Sequence, residues 1–304
     1  MNNLKEIFET DKYKNLEFIA NQVVEGFITG LHRSPYHGFS VEFAEHRAYN
    51  TGESTKFIDW KLFGKTDKLF VKRFEEETNL RCHIIIDISS SMLFPIDSNI
   101  NKLNFSIFSA AALINLFKRQ RDAIGLSLFS NKLDFHLNSK LSKSQISLIY
   151  SKLEQNLKKH NQQTKRQTNA AKSINEIAEI IHKRSLVIIF TDMLEINNQE
   201  KLFEALQHLR FKQHEIILFH LRDKKLELDF NFANRPYKFI DLENEKEVKL
   251  TPTEIGDSIK EKFKNYFNDI KLKSGQNKIH FIEADINENF NQILLPYLNN
   301  RNNM

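Results

Sequence analysis

An aspartate and two serines at alternate positions, Asp87, Ser89 and Ser91, are the residues of this chain best suited to chemistry. Residues two apart in an extended chain point the same way, so the three oxygens converge just past a strand end. Hard oxygens of that kind suit a small hard cation, and Mg2+ takes few protein ligands and keeps several waters. Taken alone, the pattern is more often a strand-to-helix turn in which Asp or Ser acts as an N-cap. Two further stretches strengthen the metal reading. The apolar run from Ser185 to Phe190 ends in Thr191-Asp192, and the polar segment 164–169 carries hydroxyls at Thr164 and Thr168 before a helix-like run. In an open parallel sheet, ligands collect at strand carboxyl ends where the strand order reverses.

The elements that must position these loops alternate strand and helix. Residues 82–88 form a short β-branched run, as expected of a strand buried on both faces. A helix over 102–120 follows, with a Phe105, Phe108, Ala112, Leu116 stripe for the sheet. Residues 123–129 and 133–137 read as a hairpin across Ser130-Asn131-Lys132. Helices are predicted over 142–158, 170–183, 198–210, 253–272 and 288–299, and strands over 185–190, 214–221 and 278–282. An extra hairpin is expected between Lys238 and Leu250. The predicted fold is α/β, a doubly wound, mainly parallel sheet with helices on both faces, spanning residues 81–299. An N-terminal helix over 1–25 precedes it, and a frayed tail, 300–304, ends the chain. Between them, residues 26–80 gather Gly26, Gly30, Gly38, Gly52 and Gly64, which predicts a small strand-rich module with Trp60 anchoring its core.

The chain of 304 residues can bury a large core, and 40% hydrophobic residues with 26 Phe describe a globular protein. Its net charge of +5 arises from 44 basic against 39 acidic residues, a weak footprint for nucleic acid. A single cysteine, Cys82, excludes internal disulfides and multi-cysteine zinc sites. Met1 to Glu6 lack the order of a signal peptide, and the longest nearly apolar run, 107–117, is too short to span a bilayer. The expectation is a soluble cytoplasmic protein.

Several catalytic patterns are missing. Residues 51–56 lack the glycine pair and Lys-Ser order of a phosphate loop, and neither G-x-G-x-x-G nor G-x-S-x-G occurs. Asp87-x-Ser89 lacks the second carboxylate of aspartyl phosphatases. His32, His37 and His46 share no metal-binding helical face, so a structural or interface role is expected. Glu75, Glu76 and Glu77 read as a solvated face, and Lys158, Lys159, Lys165 and Arg166 as a solvated loop.

Asp87-x-Ser89-x-Ser91, a threonine near 168 and Asp192 resemble, loop by loop, the metal-ion-dependent adhesion site of a von Willebrand factor A domain. Upstream, Gly30 to Ser34, Gly38, Glu42 to Tyr49, Gly52-Glu53, Ile58 to Lys61, Leu69 to Lys72 and Glu75 to Glu77 form a long ordered signature. With the metal loop it resembles the bacterial domain-of-unknown-function 58 family, densely over residues 26–92. The resemblance implies Mg2+ or Mn2+ held directly by Ser89 and Ser91 and mostly through water by Asp87 and Asp192. Thr168 would bind directly or through water, with Thr164 as the alternative. One position would stay open for an acidic side chain of a partner, and the family's usual partners are MoxR-type AAA+ ATPases in protein assembly or maturation. Gly52-Glu53 and Gly64-Lys65 depart from the family pattern, and Thr168 lacks the glycines often preceding the second metal loop.

The expected function is therefore a non-enzymatic, metal-dependent protein-binding module. Arg33, His46, Arg47 and Lys61 are expected to add partner contacts through their donors. A metal-dependent hydrolase would need a second set of oxygen ligands near Asp87. A nucleic-acid binder would lose affinity steeply with salt.

Overall fold

The computed structural model describes residues 15–32, 46–48, 60–72, 80–96, 98, 100–159, 168–194, 199–243 and 246–301. The chain divides into two units, Met1–Ile28 with Leu80–Met304, and Thr29–Asn79.

The larger unit is a mixed α/β structure around one mostly parallel sheet. The helix α1 (Leu16–His32) belongs to it up to Ile28 and buries Leu16, Ile19, Ala20 and Val24. In the smaller unit lie β1 (His46–Ala48), α2 (Trp60–Thr66) and β2 (Phe70–Lys72), with β1 and β2 antiparallel. Trp60 corrects the expectation of a core anchor. It opens α2 with 61% of its surface exposed, meeting Phe63 edge-on at 6.1 Å.

The chain then runs through β3 (Arg81–Asp87), α3 (Lys102–Arg119), β4 (Ala123–Phe129), β5 (Leu133–Lys140), α4 (Lys143–Lys159) and α5 (Ala170–Ile180). It continues through β6 (Leu186–Thr191), α6 (Gln199–Phe211), β7 (Glu215–Arg222), β8 (Tyr237–Ile240), β9 (Glu247–Leu250), α7 (Pro252–Gln276), β10 (His280–Asp285) and α8 (Asn291–Arg301). The main sheet has the order β10-β7-β6-β3-β4-β5, parallel except for the antiparallel β4–β5 pair. β8 and β9 form a separate antiparallel hairpin.

Burial explains the central strands. Cys82 to Asp87 and all of β6 are buried, which is why their sequence shows an unbroken apolar run rather than alternation. Ile85, Val187, Ile189, Ile216 and Leu218 point to one face, where α5, α6 and α7 supply Ile174, Ile177, Leu206, Leu209 and Ile270. Residues of opposite parity, such as Ile84, Ile86, Ile188 and Phe190, point to the other face. Helix α3 packs against β3 and β4, and Phe105 stacks at 5.3 Å on Phe290, the residue just before α8. Asn101 fixes where α3 starts, its side chain accepting from the Asn104 amide at 2.8 Å.

Strand order matters most for the site. From β3 the chain moves outward to β4 and β5, then returns to β3's other side for β6 and β7. The carboxyl ends of β3 and β6 therefore flank the reversal, where a crevice is expected.

Candidate functional site

The end of β3 delivers Asp87, and the backbone then bends into a single 3-10 turn, Ser90–Leu93. Asp87 is fully buried. Its Oδ1 accepts from the Ser89 amide at 2.9 Å and its Oδ2 from the Thr191 hydroxyl at 2.9 Å. Asp87 thus holds its own loop and ties it to the end of β6. The Ser89 and Ser91 hydroxyls lie 3.0 Å apart, converging as alternate positions should.

The β6 end is equally fixed. Asp192 is followed by Met193 in the left-handed region, φ 51°, a conformation that costs a non-glycine residue about 1 kcal/mol. The Met193 amide donates to the Thr191 hydroxyl at 3.2 Å, and Tyr266 Oη donates to the Met193 carbonyl. The third loop ends where Asn169 caps α5, accepting from Lys172 N at 3.2 Å. This leaves Thr168 at the rim. Ser91, Thr168, Thr191, Asp192, Leu194 and Glu243 are among the residues lining one small cleft. Its free space is about 10 Å³, roughly one water-sized sphere. Such a cleft suits a small ion and its water rather than an organic substrate.

Sequence reasoning missed three neighbours of this cluster. Lys102, the first residue of α3, is 1% exposed, with Nζ 3.0 Å from Asp192 Oδ2 and 2.5 Å from Glu227 Oε1. Burial disfavours the ammonium, but the charges of Asp192 and Glu227 outweigh it and keep the lysine protonated. Glu227 comes from a single π-helical turn, Lys224–Leu228, whose start is capped by Asp223. Glu243 comes from the loop between β8 and β9. Its Oε1 accepts from Thr168 Oγ1 at 2.9 Å and its Oε2 from Thr168 N at 3.2 Å.

The electrostatics are unbalanced. Three buried or nearly buried carboxyl groups, Asp87, Asp192 and Glu227, lie here, and the ammonium of Lys102 pairs with only two of them, Asp192 and Glu227. Burial, and then the charge of Asp192, push Asp87 up to about 8. Burial also raises Glu227, against the pull of Lys102. A carboxyl kept from ionising by burial and by a neighbouring carboxylate is the condition a divalent ion relieves. No group of three or more His, Cys, Asp or Glu side chains among the described residues is arranged to hold a metal. The donor set here is of another make: two serine hydroxyls, a threonine and carboxylates, all hard oxygen, matching Mg2+ or Mn2+ chemistry.

Asp87, Ser89, Ser91, Thr168 and Asp192 all lie at this end of the sheet. Thr164 falls outside the described residues, as do Arg33, the Glu75–Glu77 run, Lys165 and Arg166. His46 and Arg47 lie on β1 and Lys61 in α2, but their side chains are outside the described residues. Among the described residues, no helix is long and apolar enough to cross a membrane.

A family model described as Protein of unknown function DUF58 matches residues 45–269. No curated protein matches the chain. Among solved structures, the conserved hypothetical protein BatB from Bacteroides thetaiotaomicron is similar, at 14% identity and a TM-score of 0.43, covering 73% of this chain and 98% of that one. An aerotolerance-related membrane protein from Bacteroides fragilis NCTC 9343, with multiple mutations to serines, is 16% identical with a TM-score of 0.46. That match covers 74% of this chain and all of the other, 100%.

Proposed function

The chain belongs to the DUF58 family of proteins of unknown function, and from that premise we propose that it is a metal-dependent protein-binding module with a von Willebrand factor A-type fold. Mg2+ or Mn2+ is held by the hydroxyls of Ser89 and Ser91, with Asp87, Thr168 and Asp192 completing the shell directly or through water. The observation carrying this reading is the buried oxygen cluster at the point of strand reversal, which holds more carboxylate than Lys102 neutralises. When bound, the ion supplies a positive point for a partner's carboxylate. The chain's own residues orient and charge-balance that ion. The resemblance read from the sequence makes a MoxR-type AAA+ ATPase, or its client, the partner to test first.

Calorimetry with Mg2+ and Mn2+ tests the ion: the wild type binds one equivalent and Asp87→Ala binds none. Equal binding by both would overturn the site. Pull-down with purified MoxR-type ATPase, with and without EDTA, tests the partner. Capture that persists in EDTA and in Ser89→Ala excludes a metal-bridged contact.

A further inference from the structure

The site reading leaves one carboxylate unexplained. Glu243 is neither a residue of the sheet ends nor a partner of Lys102, yet it lines the same cleft as Ser91, Thr168 and Asp192. It reaches there from outside the main sheet. β8 and β9 pair in register from Tyr237 opposite Leu250 to Ile240 opposite Glu247, and Lys238 and Glu247 form an ion pair across them at 2.6 Å. The Asp241 amide closes the loop on the Lys246 carbonyl at 2.9 Å. Within it, Asp241 Oδ1 accepts from the Glu243 amide at 2.8 Å, which sets the direction in which that residue leaves the loop. The base of the arm is an aromatic cluster in which Phe230, Phe232, Tyr237 and Phe239 contact one another. The arm is thus a braced element that ends in a carboxylate.

Both oxygens of that carboxylate are engaged by one residue, Thr168, through its hydroxyl and its amide. A two-point grip of this kind fixes an anion's orientation as well as its position. Placing another negative charge in the cleft that Asp192 lines is unfavourable unless a cation joins them.

 A carboxylate on a surface loop can be satisfied by water, so the loop itself does not force Glu243 toward Thr168.

We propose that Glu243 is the site's own carboxylate, a tethered ligand that holds the bound ion's open position until a partner's acidic side chain displaces it. This rests on the metal reading above and adds its regulation. The β8–β9 arm is then the element that a partner must move, and the partner's acidic group competes with a carboxylate already in place. Affinity for that group is lowered by the fraction of time Glu243 occupies the position.

The test uses the full chain loaded with Mn2+ and reads water-proton relaxation, which rises with the number of waters on the ion. In Glu243→Ala, relaxivity per bound Mn2+ rises by the share of one water, and Mn2+ affinity falls by about tenfold. Added acetate lowers the relaxivity of Glu243→Ala and leaves the wild type unchanged. Glu243→Gln, which keeps the shape and removes the charge, behaves like Glu243→Ala. If the wild type binds Mn2+ but relaxivity and acetate response are the same in all three proteins, the tethered ligand is excluded and the metal reading stands. If the wild type binds no Mn2+, both are overturned.

Discussion

At the carboxyl ends of β3 and β6, Asp192 and Glu227 share the ammonium of Lys102, while the neighbouring Asp87 has only the Ser89 amide and the Thr191 hydroxyl. In the middle of β3, β4 and β5, on the same sheet, His83, Ser127 and His136 form a second buried polar cluster with no carboxylate in it. His83 Nε2 lies 2.8 Å from Ser127 Oγ, and that oxygen lies 2.9 Å from His136 Nδ1. Burial holds His83 down at about 3 and lowers His136 as well, so both rings are neutral. Gly125 makes the room: a Cβ there would sit 2.4 Å from His83 Nδ1 and 2.8 Å from the Leu137 carbonyl. Both clusters are hydrogen-bonded. They differ in charge. One borders a cleft and lacks positive charge, whereas the other is neutral, with His83 and Ser127 buried and His136 half-buried. A buried polar cluster therefore points to a ligand only when its charges fail to close.

Breaking the charged cluster should have the largest effect. Lys102→Met removes its one cation and should destabilise the metal-free protein by about 3–5 kcal/mol, with Mg2+ restoring part of the loss in thermal melts. A loss unaffected by Mg2+ would mean the lysine and the ion do not share the same carboxylates. Next, Gly125→Ala forces a methyl group against backbone and should cost about 3 kcal/mol in urea unfolding, leaving Mn2+ binding untouched. Altered ion binding there would join the two clusters.

A smaller effect separates them by pH. His83 is neutral in the fold and takes up a proton near its ordinary 6.5 when unfolded. Its contribution to stability is complete above about pH 6.5 and is lost progressively as pH falls toward 3. Between pH 7 and 5 the wild type should lose about 1–2 kcal/mol more than His83→Gln; equal losses would show that His83 is protonated in the fold. The smallest change in stability belongs to Asp87→Asn, under about 1 kcal/mol, because the amide keeps the carboxyl's shape. Ion binding should vanish all the same. A large loss of stability would make Asp87 a structural residue first.

Most of the main sheet was legible because its strands are buried on both faces and end in polar residues, as Cys82 to Asp87 and Leu186 to Asp192 do. The β8–β9 hairpin was legible too, from Lys238 to Leu250. Lys102 was not: a lysine opening an amphipathic helix reads as solvated, and its partners stand far along the chain. Glu243 escaped for the same reason, since only the folded arm brings it to Thr168. Trp60 misled because an isolated aromatic ring suggests a core, whereas here it opens a short helix and faces outward.

Lys102 also constrains the order in which the chain can become stable during synthesis. Its carboxylate partners lie 90 and 125 residues downstream. Until β6 and the turn after β7 have emerged, closing the first turn of α3 would bury an ammonium with no counter-charge, at a cost of several kcal/mol. A nascent chain that stops after β5 therefore holds the central strand and its helix without the means to lock them together. The first half of the domain therefore depends on the second for the charges that close this contact.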